Sequence, residues 1–569
     1  MLVTSHDKTS LMSPKSQTLL VGALLVVAGC LSYCRVLNAG FIWDDDAYVT
    51  ANPTLRTAGG LWEIWTRPGA TPQYYPAVHT TFWMEFQLWG ENARGYHFVN
   101  VILHLLTSII LGSILIRLGI RIAWPAAFLF ALHPIQVESV AWITERKNVL
   151  SGLFYCLSAL AMLQWRFPAS PRTSYTTAVR SLPSPILYWA AFALFLLALL
   201  SKTTTCVLPA VALVVIWWKT GQVNQKDVAT FIPFFVCGIA FGLMTAWMEK
   251  WRVGAVGEEF SLNWLQRCLV ATHALCFYIW KAVLPRNLTF IYPRWDFNSL
   301  NGWQIGAPIL CVFATIVLLQ LARRGQRGPL AAGMLYAGCL FPALGFFNVY
   351  PMRYSFVADH FSYLSMMPLL TGVAWLVFEF AANKVRAFQD SSAAAVSQNS
   401  SPLPQKVVPL QISCLVIAAV CIPLTFMQTG MYRDLETLWR TTLERNPTAW
   451  MAHHNLGKLL EEKSEPQEAL EHYLSAIELN PNHVQAMNNA GLLQIKAGQF
   501  ADAEALLRKA IERESRFDLA HNNLAIALVR QGRLEEALAE FDLAIAINPK
   551  YENARINRAA VINALQANK

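Results

Sequence analysis

Charged residues are scarce in this chain. Asp, Glu, Lys and Arg make up 14% of the 569 residues, whereas 55% are hydrophobic and 20 are tryptophan. Soluble globular domains carry about 25% charged residues. The composition therefore excludes a soluble globular protein for most of the chain and predicts an integral membrane protein.

A basic stripe is also lacking, although the formal net charge is +9. The Lys and Arg residues are scattered at the ends of apolar segments, where they set the orientation of a membrane protein. Nucleic-acid-binding proteins instead cluster them on one face. The sequence therefore predicts no nucleic-acid partner.

Cysteine is absent from the polar loops and from the C-terminal region. All 11 cysteines, from Cys30 to Cys421, lie in apolar segments. This placement predicts no disulfide framework and is typical of cysteine used as a small hydrophobic residue.

Long apolar segments dominate residues 1–430. A membrane span needs about 20 apolar residues, and eleven segments approach that length: 17–36, 98–117, 122–137, 148–166, 186–202, 203–219, 229–247, 303–321, 329–347, 363–382 and 407–427. A twelfth, 265–284, is interpreted as re-entrant or interfacial, because counting it would place the basic connection 323–327 outside.

Positive charge gives the expected orientation. The basic connections, among them 117–121, 219–226 and 323–327, are expected in the cytoplasm. With eleven spans, the N-terminus is then cytoplasmic and everything after residue 430 lies outside. The first apolar run is long and lacks a small-x-small cleavage site, so it is interpreted as an uncleaved anchor.

Residues 431–569 have a different pattern, a repeat of 34 residues. The register is marked by Asn446-Pro447, Asn480-Pro481, Glu514-Ser515 and Asn548-Pro549. Small residues recur where paired helices touch, at Ala469, Ala503 and Ala537, and large ones between them, at Tyr473, Leu507 and Phe541. This is the tetratricopeptide pattern, which predicts three repeats stacked as an α-solenoid, followed by a capping helix over residues 553–566.

Asparagines recur on the first helix of each repeat, where a concave groove would present them. Asn455, Asn489 and Asn523 are candidates for binding an extended polypeptide, since an amide both donates and accepts hydrogen bonds. The alternative for any one of them is a solvated helix face. Recurrence in three repeats favours peptide binding.

Acidic, basic and aromatic residues cluster in the connections expected outside the cytoplasm. Charges beside a membrane are costly unless they are functional. The stretches concerned read FIWDDDAYVTANP, LHPIQVESVAWITERKNVLSGLFY, LLSKTT, LTFIYPRW and FFNVYPMRYSFVADHFSYL.

These five stretches, in this order, resemble the bacterial relatives of the transmembrane and tetratricopeptide-repeat protein O-mannosyltransferases, in the GT-C class of glycosyltransferases. The resemblance covers nearly the whole chain. It implies an enzyme of the inner membrane that takes a sugar from a polyprenyl-phosphate carrier and transfers it to a hydroxyl group on the periplasmic side.

Asp44 and Asp45, in the loop 38–97, stand where the GT-C class has its acidic pair after the first span. Adjacent carboxylates raise each other's proton affinity, which suits a general base. Asp46 is a third acid, so the base is not assigned within the run. The alternative, a hydrated acidic turn, is disfavoured by the position directly after Trp43.

Basic residues on the same side are candidates for the carrier phosphate, because ammonium and guanidinium groups stabilise a leaving phosphate. They are Arg146, Lys147, Lys202, Arg353 and His360. The alternative, orientation by positive charge, is disfavoured outside the cytoplasm. The animal relatives commonly have an acidic residue after the lysine of the Ser201-Lys202-Thr203 stretch, and Thr203 departs from that pattern.

A divalent metal is possible but not obligatory. Oxygen and nitrogen ligands are available, at Asp44, Asp45, His79, His133 and Glu138, but their spacing matches no compact metal motif. The sequence predicts no obligatory metal or other cofactor, with a lipid-linked sugar as the donor substrate.

The sequence as a whole predicts an all-α protein: a polytopic GT-C-type membrane domain over 1–430 and a tetratricopeptide solenoid over 431–569. The predicted function is inverting transfer of mannose or a similar sugar to protein Ser or Thr, with the repeats recruiting the acceptor. Two alternatives are a catalytically silent scaffold of an envelope complex and an enzyme whose acceptor is a lipid or glycan.

Overall fold

The computed structural model describes residues 14–168, 184–297, 302–395 and 410–567. The regular secondary structure of these residues is helical, with no β-strand among them, which confirms the all-α prediction. The chain forms two compact units. Unit 1 comprises residues 1–290 and 294–434, and unit 2 comprises Ile291–Pro293 and Leu435–Lys569.

Fifteen α-helices lie in the described part of unit 1. They are α1 (Pro14–Tyr33), α2 (Ala58–Thr66), α3 (Pro76–Trp89), α4 (Ala93–Arg117), α5 (Ala123–Leu132), α6 (Val137–Ala141), α7 (Arg146–Arg166), α8 (Ser184–Ser201), α9 (Leu208–Thr220), α10 (Gln225–Met248), α11 (Trp264–Val283), α12 (Gly302–Arg323), α13 (Arg327–Leu340), α14 (Tyr363–Ala395) and α15 (Leu410–Thr429).

Eight helical segments in the described ranges are long and apolar enough to cross a membrane. They are Thr18–Asn38, Ala93–Arg117, Ile143–Arg166, Thr203–Thr220, Gln225–Val253, Gly302–Arg323, Asp359–Phe380 and Ile412–Tyr432. Together with the relatives described below, they make this a multi-pass membrane protein. Residues 407–409 of the last predicted span lie outside the described residues.

The count differs from the eleven segments of the sequence pattern because three of those are shorter helices. Ala123–Leu132 and Pro185–Ser201 are apolar but short, and α13 has 14 residues. The α5 helix ends just before His133-Pro134, since a residue preceding proline disfavours the α conformation. The α13 helix gives way to a 3₁₀ turn that contains Pro342.

The exposure of these helices separates lipid-facing from interior segments. Only 6% of the most apolar stretch of Gly302–Arg323 is buried within the protein, against 61% for Ile143–Arg166. A helix that is apolar on all sides and largely exposed is suited to contact lipid. The segment that carries the charged residues after Ile143 is therefore an interior one.

The segment 265–284 forms one continuous helix, α11, which begins at a capping box of Asn263 and Gln266. Near its start, Arg267 donates hydrogen bonds to Gly345 O and Asn348 Oδ1. At its end, Ala282 O lies 3.1 Å from His133 Nε2. Both ends therefore contact segments predicted on the same side, which favours an interfacial helix over a crossing one.

Unit 2 contains eight α-helices in its described residues, paired as the repeat predicts. They are α16 (Leu435–Arg445), α17 (Trp450–Glu462), α18 (Pro466–Leu479), α19 (Val484–Lys496), α20 (Phe500–Arg513), α21 (Asp518–Arg530), α22 (Leu534–Ile547) and α23 (Glu552–Ala567). A Cβ on Gly457 would lie 2.9 Å from the ring of Tyr473, and one on Gly491 would lie 2.8 Å from Leu507. This close helix approach is why the repeat requires a small residue there.

Candidate functional site

The acidic run follows the first candidate span on a strained turn. Trp43 has a φ of +47°, a conformation rare for a bulky side chain, and strain of this kind clusters at functional sites. A short π-helical turn, Asp46–Thr50, follows at once. The three carboxylates therefore diverge: Asp45 is buried, Asp44 is half-buried and Asp46 is exposed.

Asp45 is fully buried and both of its oxygens are occupied. Oδ2 accepts a hydrogen bond from the backbone N–H of Ile42 at 2.9 Å. Oδ1 accepts bonds from the backbone N–H and the hydroxyl of Thr144, at 2.8 and 2.7 Å. Burial raises the pKa of Asp45 to about 7, against the lowering effect of these bonds. Asp45 thus joins the acidic loop to the turn that precedes α7.

Asp44 has a different environment. Its carboxylate accepts no hydrogen bond from the described residues, and its electrostatic neighbours include Lys147, Glu145 and His360. Burial raises its pKa to about 6, and Lys147 opposes the rise. A partly exposed carboxylate with a pKa near neutral and both oxygens open is suited to accept a proton from a substrate.

Glu145 is the centre of the charged cluster, a residue that sequence reasoning did not assign to the site. Its fully buried carboxylate lies 3.0 Å from Lys147 Nζ and 3.3 Å from Lys202 Nζ. It also accepts a hydrogen bond from Asn148 Nδ2 at 2.6 Å. Two ammonium groups share one carboxylate, so the lysines are held in place before any phosphate arrives.

Lys147 lies at the start of α7, whereas Lys202 lies outside the helices. Lys147 lies over the rings of Tyr48 and Trp142, at 5.6 and 5.8 Å from their centroids. Lys202 follows α8 in extended conformation and donates to Asn148 Oδ1 at 2.7 Å. Burial lowers the pKa of Lys202 to about 8, against the effect of Glu145. The structure therefore brings these two predicted phosphate ligands together.

His360 completes this side of the cluster. Its Nδ1 lies 3.2 Å from Glu138 Oε1 and its Nε2 3.9 Å from Glu145 Oε1, while its backbone N–H donates to Glu138 Oε2 at 2.8 Å. Glu138 thus binds the backbone of His360 and lies beside its ring. The ring lies close to the pair formed by Glu145 and Lys147.

Arg146 lies elsewhere. Its guanidinium is fully buried and pairs with Glu85, and it also donates to Asn100 Oδ1 and Tyr96 O. Residues next to each other in a helix point to different sides, which is why Arg146 and Lys147 have separate partners. These contacts place the guanidinium of Arg146, a predicted phosphate ligand, outside the cluster of Glu145, Lys147 and Lys202.

Arg353 is also separate. Its Nε lies 2.6 Å from Glu259 Oε2, and both side chains are about one-third exposed. The neighbouring residues Met352 and Phe356 pack in an apolar cluster with Phe260 and Val270. Arg353 therefore belongs to a loop cluster of its own within unit 1.

A polar wall borders the charged cluster. Glu249 accepts hydrogen bonds from Gln73 Nε2 at 3.0 Å and from the backbone N–H of Tyr350 at 2.9 Å. Gln73 in turn accepts a bond from the Tyr48 hydroxyl at 2.8 Å. Glu249 was also missed from sequence; its only signal was an acidic residue at the end of an apolar span.

The possible metal ligands do not converge. Within the described ranges, no group of three His, Cys, Asp or Glu side chains is arranged to hold a metal ion. His79 stacks on Tyr48, with centroids 5.1 Å apart, and His133 contacts Ala282 O. The absence of an obligatory metal stays a prediction.

The asparagines of unit 2 form a ladder of side-chain amides. Asn523 donates to Asn488 at 2.9 Å, Asn488 donates to Asn489 at 3.2 Å, and Asn522 donates to Asn523 at 3.1 Å. Asn455 instead donates to Met451 O within its own helix. The structure thus joins Asn489 and Asn523 in one network and leaves Asn455 outside it.

Known proteins are similar to the repeat region and to most of the chain as a whole. Two family models described as tetratricopeptide repeat match residues 447–513 and 488–552. Protein O-mannosyl-transferase F38B6.6 of Caenorhabditis elegans is 22% identical over 474 residues, which cover 80% of this chain and 62% of that protein. Protein O-mannosyl-transferase TMTC1 of Homo sapiens is 23% identical over 507 residues, covering 80% and 54%. Over most of its length, the chain is similar to the protein O-mannosyl-transferases.

The chain spans 62% and 54% of the length of these two relatives. Human TMTC4 is 24% identical over 540 residues, covering 82% of this chain and 66% of that protein. Among solved structures, unit 2 is similar to the first TPR of Spaghetti (RPAP3) bound to an HSP90 peptide. That likeness has 18% identity and a TM-score of 0.20, over 21% of this chain and 93% of that chain. The Arabidopsis OM64 TPR domain gives 21% identity and a TM-score of 0.20, over 20% and 93%.

Proposed function

We propose that this protein is a membrane glycosyltransferase that moves mannose or a similar sugar from a polyprenyl-phosphate carrier to a Ser or Thr hydroxyl of a protein. Support comes from the O-mannosyl-transferases that align with 80% of the chain. The observation that carries the proposal is the open carboxylate of Asp44 beside a preorganised pair of lysines.

In the proposed reaction, Asp44 accepts the proton of the acceptor hydroxyl as its oxygen forms a bond to the anomeric carbon. The bond between that carbon and the phosphate oxygen breaks, and the electron pair leaves with the prenyl phosphate. Lys147 and Lys202 stabilise the negative charge that develops on this oxygen. A single displacement of this kind inverts the anomeric configuration, because no covalent sugar–enzyme intermediate intervenes.

The remaining charged groups act through the reacting ones. Glu145 fixes both lysines, so they need no rearrangement when charge develops. Asp45 holds the acidic loop on Thr144 and is a positioning residue in this scheme. His360, fixed by Glu138, lies beside Glu145 and adds a further donor on the phosphate side.

The repeats are proposed to recruit the acceptor polypeptide on the non-cytoplasmic side of the inner membrane. The amide network that joins Asn488, Asn489 and Asn523 supports this role. Each amide retains hydrogen-bonding capacity beyond its neighbour contacts, since it has two N–H groups and two acceptor lone pairs. Such a network is suited to an extended backbone.

The test is transfer of radiolabelled mannose from polyprenyl phosphate to a Ser- and Thr-containing protein by the purified full chain in nanodiscs. Asp44→Asn is expected to reduce turnover by about 10²–10⁴-fold, the usual effect of removing a general base. The matched control is Asp46→Asn, because Asp46 is exposed and bonds only its own loop at Ala47. Normal transfer by Asp44→Asn would remove Asp44 from the proposed reaction. No transfer by the wild type would favour the scaffold alternative, and label found only in lipid or glycan would change the acceptor.

A further inference from the structure

A cavity of about 460 Å³ lies in unit 1 beside the polar wall but outside the charged cluster. It is bounded by the end of the Gln225–Val253 segment, the loop after it, the start of α11 and the loop that follows α13. Its lining includes Lys250, Val256, Arg267, Phe346, Phe347 and Asn348. The volume is in the range of small-molecule sites, about 300–1,000 Å³.

The described part of the cavity lining has two positive charges and no acidic residue. Arg267 donates to Gly345 O, Leu262 O and Asn348 Oδ1, all of them neutral acceptors. Lys250 lies over the ring of Trp251, 5.0 Å from its centroid. Among the described residues neither cation forms a salt bridge. Two uncompensated cations in one concave site favour an anion.

Most of the remaining lining residues are apolar, and some of them are exposed. Phe347 is 48% exposed and Val256 is 53% exposed. Trp247 and Trp251, on the same segment as Lys250, are 54% and 66% exposed. Aromatic residues at the end of a membrane span are typical of the lipid headgroup level. The anion that fits therefore carries an apolar chain.

The polar wall separates this cavity from the lysines of the charged cluster. Glu249 immediately precedes Lys250 in the sequence. Its carboxylate accepts hydrogen bonds from Gln73 and from the backbone of Tyr350, and Gln73 accepts one from Tyr48. Tyr350 is two residues after Asn348 of the lining. A phosphate held by Lys250 thus lies next to the reaction centre, but with a carboxylate between it and Lys147.

From this geometry we infer that the cavity is a second binding site for a single-chain prenyl phosphate, with Lys250 and Arg267 at the phosphate and Phe347 and Val256 against the first isoprene units. The inference rests on the proposed function, since the carrier of that reaction is a prenyl phosphate. A cavity of about 460 Å³ has room for one short apolar chain rather than for the two long chains of a glycerophospholipid. The site holds a carrier molecule beside the reaction centre, and no bond is formed or broken there.

Native mass spectrometry of the purified full chain with farnesyl phosphate tests the inference by counting bound copies. The wild type is expected to bind two copies and Lys250→Glu one. The matched control is Arg286→Glu, which makes the same charge change at an exposed residue beyond the other end of α11 and is expected to keep two. Phe347→Ser tests the contact with the prenyl chain, because the exposed Phe347 ring is proposed to lie against it. This variant is expected to weaken binding of the second copy about tenfold.

The outcomes separate this site from the proposed reaction. If the wild type binds only one copy, and Lys250→Glu loses it while Lys147→Gln keeps it, the cavity site is supported and phosphate binding in the charged cluster is contradicted. If the wild type binds only one copy and only Lys147→Gln loses it, the cavity site is overturned. Two copies bound by Lys250→Glu would also overturn the cavity site. Equal displacement of farnesyl phosphate by dioleoyl phosphatidylglycerol overturns the assignment to a single-chain carrier.

Discussion

The carboxylate of Asp45 accepts two hydrogen bonds from Thr144, one from its backbone N–H and one from its hydroxyl. This contact joins the loop after the first span to the turn before α7, 99 residues later in the chain. The two adjacent acids therefore differ. Both oxygens of Asp45 accept hydrogen bonds, whereas the carboxylate of Asp44 accepts none from the described residues and has Lys147 as an electrostatic neighbour.

The first prediction separates stability from turnover at these two positions. Asp45→Asn puts an amide N–H group where the carboxylate accepts bonds from Ile42 and Thr144, so we expect a loss of about 1–3 kcal/mol in the free energy of unfolding. Asp44→Asn is expected to leave the melting temperature in detergent unchanged. Equal melting temperatures for both variants would contradict the division.

The second prediction concerns pH. A general base must be deprotonated, and the pKa of Asp44 is raised to about 6 by burial. Transfer at low carrier concentration is therefore expected to rise with pH through about 6, with a tenfold gain per pH unit below it. The residual activity of Asp44→Asn should lack this rise. If Asp44→Asn shows the same rise of transfer with pH, the rise belongs to another titrating group.

The third prediction tests the buried pair of Arg146 and Glu85. Removing one partner leaves an uncompensated buried charge, so Arg146→Ala is expected to lose about 3–5 kcal/mol of stability. The double variant Arg146→Met with Glu85→Leu is expected to recover most of that loss and to keep the wild-type KM for the carrier. A raised KM in this stable double variant would instead support phosphate binding by Arg146.

The fourth prediction concerns the amide network of unit 2. Asn489→Ala removes one amide and is expected to weaken binding of an unfolded acceptor protein about fivefold, as one hydrogen bond of about 1 kcal/mol implies. Calorimetry on the purified chain measures this, with exposed Glu512→Ala as the control. Asn523→Ala should also lower stability, because it breaks the bond to Asn488. Unchanged binding in both asparagine variants would exclude the network from recruitment.

The fifth prediction concerns orientation. A reporter enzyme that is active only in the periplasm, fused after Lys569, is expected to be active, because eleven predicted spans leave the chain after residue 430 outside the cytoplasm. Both ends of α11 contact segments predicted on one side, so α11 adds no crossing to that count. A reporter active only in the cytoplasm, fused at the same point, should be silent. The reverse result would mean that α11 crosses the membrane or that one of the three shorter helices does not.

The sequence alone determined the class of this protein, because the relevant signals are local. Apolar length predicts membrane helices, and a period of 34 predicts stacked helix pairs. Both follow from burying one face of a short segment. The acidic run after the first span was likewise predicted from its position beside an apolar segment, as were Lys147 and Lys202, which stood among five candidate phosphate ligands.

Only the tertiary structure decided which charges meet. Asp44 and Asp45 are adjacent in sequence, yet Thr144 occupies one and leaves the other open. Arg146 and Lys147 are adjacent as well, but one reaches Glu85 and the other Glu145. Three glutamates of the site bind partners more than 50 residues away in the chain: Glu145, Glu138 and Glu249. Pairings of this kind depend on how distant helices pack, and no local pattern in the sequence encodes them.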